Sequence, residues 1–124
     1  RILSMLILHH VIKYFEKGEE PPTSVEIGEK LGIPIRLVRD VLFDLTTANI
    51  LVETVKDNPK DKGYQPAIDI NKITLKFVIE RLDDIGSDKI VVDESELYKK
   101  VEHMYDDIFN RLKDSSLNVT IKDL

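Results

Sequence analysis

Cysteine is absent from the 124-residue sequence. That excludes disulfides, thiol nucleophiles, cysteine-ligated zinc and cysteine-bound iron–sulfur clusters together. Tryptophan is absent as well. The five glycines, Gly18, Gly28, Gly32, Gly63 and Gly86, are dispersed, so no glycine-rich loop is available to cradle a phosphate. Positive charge is scarce. Eighteen Lys and Arg stand against 23 Asp and Glu, a formal net charge of −5, which weighs against a nucleic-acid surface. No long apolar run exists either. Residues 2–11 are interrupted by Ser4, His9 and His10, are too short to span a bilayer and lack a signal-peptide cleavage pattern. They read as a buried first helix with no direct membrane insertion, in a cytoplasmic setting. The first residue is Arg1 rather than Met, and the sequence reads as a processed product or an excised piece of something longer.

Reactive constellations are also missing. His9, His10 and His103 are the only histidines. Neighbouring residues on a helix point about 100° apart, so the adjacent pair is badly placed to chelate one ion. The i,i+4 histidine spacing of a helical metal motif does not occur. Asp83 and Asp84, like Asp106 and Asp107, diverge around a helix for the same reason and read as solvated carboxylates rather than catalytic pairs. The expectation is a non-catalytic protein with no metal and no cofactor.

What is present is helical grammar. Hydrophobic residues make up 42% and charged residues 33%, an ordinary soluble balance for one compact domain. Leu3, Leu6, Ile7, Val11, Tyr14 and Phe15 recur at helical spacing and predict a first helix over about residues 1–17. Thr23 and Glu26 form a capping box that starts a second helix, buried through Val25, Ile27 and Leu31, with Gly32 just past its end. Pro34 suits the first position of a third helix. Leu37, Val38, Val41, Leu42, Leu45 and Ala48 form its apolar stripe, and Asn49 can take the left-handed conformation that stops it. Strands are expected over 50–55 and 64–68, with a polar tip over 57–63 and Pro66 confining the second strand to an edge. Thr74 caps a fourth helix carrying Leu75, Val78, Ile79 and Leu82 and ended by Gly86. A fifth begins near Ser95. Residues 117–124 fit either a strand-like alternation or a last helical turn. The fold class is α+β and mostly helical: a winged helix-turn-helix with a two-stranded wing and a long C-terminal helix. Residues 1–86 form the winged core and residues 87–124 a C-terminal extension.

The stretches SVEIGEKLGIPIRLVRDVLFDLTTANIL, GYQPAIDINKITLKFVIERLDD and LYKKVEHMYDDIFNRLKDSSLNVTIKDL occur in an order and spacing that resembles winged-helix regulators of the iron–sulfur cluster regulator type. The resemblance implies a helix-turn-helix, a wing with the helix that follows it, and a long dimerisation helix. Cluster-binding members hold cysteines between the fourth and fifth helices. Here that region reads IGSDKIVVDES, so the resemblance implies no cluster. The chain is also similar to the winged-helix domains that end some ribonuclease BN-like membrane proteins. That likeness implies a regulatory module on the cytoplasmic side of a larger protein, with no nuclease chemistry in these residues. The alternative is a DNA-binding transcription regulator that dimerises through the last long helix.

With the stripe of the third helix buried, Arg36, Arg39, Asp40, Phe43, Asp44 and Thr47 face outward. Arg36 and Arg39 suit phosphate or guanine, while Asp40 and Asp44 repel phosphate. Across residues 24–65 six Lys and Arg meet seven Asp and Glu. DNA is therefore the partner of the alternative reading, and charge disfavours it. Lys56, Lys60 and Lys62 give the wing tip a small positive excess over Asp57 and Asp61. On the fifth helix Leu97, Val101, Met104, Tyr105, Ile108 and Leu112, widened by Tyr98 and Phe109, make a stripe too long for one small domain to cover. It reads as an interface with a second copy or with a parent domain.

Overall fold

A computed structural model describes residues 1–55, 62–87 and 95–124. Five helices and a two-stranded antiparallel sheet follow one another as α1 (Ile2–Glu16), α2 (Ser24–Leu31), α3 (Ile35–Thr47), β1 (Leu51–Val55), β2 (Lys62–Pro66), α4 (Leu75–Ser87) and α5 (Glu96–Lys113). Single 3-10 turns lie at Ile70–Lys72 and Ile121–Asp123.

Local chemistry sets each boundary. At the end of α1, Gly18 takes φ +72° and the Glu19 amide donates to the Tyr14 carbonyl, which closes the helix through a left-handed residue. Thr23 Oγ1 accepts the Glu26 amide at 3.2 Å and donates to the Glu26 carboxylate at 3.1 Å, so the expected capping pair does start α2. Gly32 ends α2 at φ +68°, and the Ile33 amide reaches back to the Gly28 carbonyl. Pro34 serves as the residue before α3 rather than its first helical position. Asn49 stops α3 at φ +58°, and the Ile50 amide then donates to the Leu45 carbonyl. Thr74 Oγ1 accepts the Phe77 amide at 3.2 Å and caps α4, which runs one residue past Gly86.

The hairpin pairs Leu51 with Pro66, Glu53 with Tyr64 and Val55 with Lys62. The second strand therefore starts and ends two residues earlier than the sequence suggested. The turn between α1 and α2 joins its edge: Thr23 bridges Gly63, and the Tyr64 amide donates to the Pro22 carbonyl. A Cβ built on Gly63 would stand 2.6 Å from the Pro21 carbonyl oxygen and 2.8 Å from Thr54 Oγ1. Only glycine lets the two backbones approach this closely.

The core lies where α1, α3 and the start of the hairpin meet α4. Ile7, Leu8, Val11 and Ile12 of α1, Val38, Leu42 and Leu45 of α3, then Ile50, Leu51, Ile73, Val78 and Leu82 are buried together. Of the two readings of the tail the last helical turn is the one observed, preceded by one isolated bridge rather than a strand. Thr120 bridges Thr74, the Ile121 amide donates to the Ile73 carbonyl, and a 3-10 turn follows that buries Ile121 against the same core.

Four residues of the apolar helical patterns lie at the surface. Leu6 and Phe15 are exposed, while Leu8 and Ile12 take the inner positions of α1. An almost wholly apolar helix leaves the phase of its buried face undetermined by pattern alone. Leu37 is 41% exposed because the inner row of α3 runs through Val38, Leu42 and Leu45, and a residue one position earlier is turned about 100° away. Val25, two positions before buried Ile27, falls on the opposite side of α2.

Candidate nucleic-acid interface

Burying Val38, Leu42 and Leu45 fixes which way the rest of α3 points. Arg36, Arg39, Asp40, Phe43, Asp44 and Thr47 are all exposed along its outer side. Among the described residues none of the ion pairs involves Arg36, Arg39, Asp40 or Asp44. The guanidinium groups thus make no direct ion pair with the carboxylates one turn away among the described residues. Thr46 and Thr47 donate their hydroxyls to the Phe43 carbonyl at 3.0 and 2.7 Å. Phe43 itself is 70% exposed, a large apolar ring on a charged surface.

The hairpin stands beside this helix. Lys62 pairs across the strands with Glu53 at 3.3 Å, so the one wing lysine in the described residues already has a counter-ion. Lys56 and Lys60 lie outside the described residues. Burial and the neighbouring Glu53 carboxylate hold the Tyr64 hydroxyl above its ordinary pKa, and Arg39 opposes them more weakly. A cleft of about 250 Å³ separates the start of α2 from the wing and is lined by Thr23, Ser24, Val25, Arg39, Glu53, Lys62 and Tyr64. Sequence reasoning named Arg39 and Lys62 and missed the rest. The signal was the glycine after the wing tip, whose close approach to residues 21–23 brings the α2 start alongside the sheet.

A second surface belongs to α5. Leu97, Tyr98, Val101, Met104, Tyr105 and Ile108 are exposed, and Phe109 and Leu112 are half-buried. The Tyr105 and Phe109 rings stack with centroids 6.4 Å apart. A groove of about 700 Å³ runs between α4 and α5, floored by Leu82, Val101 and Phe109. The Arg1–Asp83 ion pair, at 2.8 Å, stands at its edge. Among the described residues no group of His, Asp and Glu is placed to hold a metal ion, and no helix is long and apolar enough to cross a membrane.

No family model matches the chain, and no curated protein does either. Solved structures do match. CymR (YrzC), the global cysteine regulator of B. subtilis, is 18% identical, with a TM-score of 0.64 over 98% of this chain and 88% of its own. T. potens IscR is 19% identical, with a TM-score of 0.63 over 98% of this chain and 79% of its own. CymR from Staphylococcus aureus is 16% identical, with a TM-score of 0.57 over 96% of this chain and 88% of its own. The ribonuclease BN-like parent expected from the sequence finds no support in these matches. At such identities the likeness is one of fold: from first helix to closing turn, the chain carries the winged-helix fold found in CymR and IscR.

Proposed function

We propose that the chain is a non-catalytic, DNA-binding transcription regulator. It pairs with a second copy through α5 and lays α3 in the major groove. In this reading residues 1–86 are the reading unit and residues 87–124 the pairing extension. Two supports converge. Structures of the same fold, matched over most of their length, include a named regulator. The observation that carries the reading is the outer side of α3, where Arg36 and Arg39 stand exposed and without ion pairs among the described residues. Phe43 and Thr47 lie with them on the same exposed side. The uncovered apolar residues of α5 supply the pairing surface. A dimer presents two copies of α3 to one duplex, so each contact is made twice.

The experiment is duplex retention as a function of salt. Affinity is expected to fall as salt rises, because each neutralised phosphate releases counter-ions. Changing Arg36 or Arg39 to Ala is expected to weaken retention and to reduce the slope of log affinity against log salt by about 1 for each phosphate contact removed. Variants that bind as tightly as the parent, with the same slope, would remove α3 from the interface.

A further inference from the structure

We infer that Phe43 reads the 5-methyl group of a pyrimidine base in the major groove; this rests on the DNA-binding reading above. The ring is 70% exposed at the middle of the outer side of α3, with Arg39 one turn before it and Thr47 one turn after. The Thr47 hydroxyl donates to the Phe43 carbonyl at 2.7 Å, one turn along the same helix. The ring is an apolar group on a helix side that otherwise carries charges. Base edges in the major groove offer donors and acceptors, and their one apolar feature is the 5-methyl of thymine. The 5-methyl of a methylated cytosine has the same chemistry.

The surrounding side chains suit base edges better than the backbone. Asp40 and Asp44 lie before and after Phe43 on the helix, exposed and without ion pairs among the described residues. Both carboxylates repel phosphate, yet either can accept a hydrogen bond from the cytosine amino group, while Arg36 and Arg39 match guanine. A helix built to grip phosphate would carry lysines at these positions. This one carries an assortment that discriminates among bases, with Phe43 in the place of an apolar probe.

The test begins with duplexes recovered from a randomised pool by repeated retention on the full chain at low salt. In these, each thymine is replaced singly by uracil, and each cytosine by 5-methylcytosine. If thymine is the source, uracil at the contacted position weakens wild-type binding about fourfold, the effect of one methyl group leaving water. If methylated cytosine is the source, the added methyl tightens binding by a similar factor. Phe43→Ala abolishes whichever discrimination the wild type shows, and Phe43→Leu, still apolar, retains part of it. Recovered duplexes whose wild-type affinity ignores every methyl change overturn the assignment of Phe43 alone, as does discrimination that survives in Phe43→Ala. Failure to recover any duplex overturns the DNA-binding reading and this inference with it.

Discussion

Leu42 and Phe43 are neighbours in the chain and opposites in consequence. Leu42 is buried in the shared core, and Phe43 faces solvent. Leu42→Ala deletes buried methyl groups and leaves a cavity, so it is expected to cost about 2–5 kcal/mol in chemical denaturation. Phe43→Ala is expected to shift stability by no more than about 0.5 kcal/mol. Equal losses would show that α3 is seated differently. His10 gives a residue-scale prediction of another kind. Its Nε2 is buried with no hydrogen-bond partner among the described residues, and its ring lies 4.6 Å from that of Tyr14. Burial first, then the positive charge of Lys30, hold its pKa below the ordinary value of about 6.5. The unfolded chain therefore binds the proton more readily than the folded one. Stability is complete above about pH 6.5 and declines as pH falls from there towards the lowered folded value. Thermal melts between pH 7.5 and pH 5 are expected to shift down, with approximate values set by that window. His10→Phe is expected to shift less, and identical shifts in both proteins would count against His10 as the group responsible.

Among the elements, capping chemistry was legible and rotational phase was not. Thr23, Gly32, Asn49 and Thr74 each mark a boundary where the structure has one, because caps depend on a single residue's hydrogen bonds or backbone conformation. The apolar pattern of α1 includes Leu6 and Phe15, which are exposed, since a helix with apolar residues on every side carries no phase information. The exposed side of α3 was legible through its charges. The cleft at the start of α2 was not, because it depends on the Thr23–Gly63 bridge, a pairing across 40 residues of chain. The stripe on α5 was recognised, and the chain leaves Leu97, Val101, Met104 and Ile108 uncovered. Sedimentation is expected to find a dimer for the parent protein and a monomer for Met104→Glu combined with Ile108→Glu. The helical signal and the unfolding midpoint of the core should change little, since neither side chain is buried. A monomeric parent at high concentration would refute pairing through α5.

For the whole molecule, charge is the deciding quantity. A net −5 repels a polyanion at long range, and only local surfaces can reverse that. In the described residues Lys62 is occupied by Glu53, which places the burden of attraction on Arg36 and Arg39 and on pairing two copies of α3. Binding is then expected to be weak for arbitrary DNA and to depend strongly on the bases presented. That combination separates a reader of base edges from a general backbone binder, whose affinity comes almost entirely from phosphate neutralisation. The most direct measurement of the central claim is retention of randomised duplex DNA by the intact chain at low ionic strength, repeated as salt is raised. The account predicts enrichment of a defined sequence and salt-sensitive binding that Arg36→Ala with Arg39→Ala removes. No retention at the lowest salt, or retention unaffected by that double change, would contradict it.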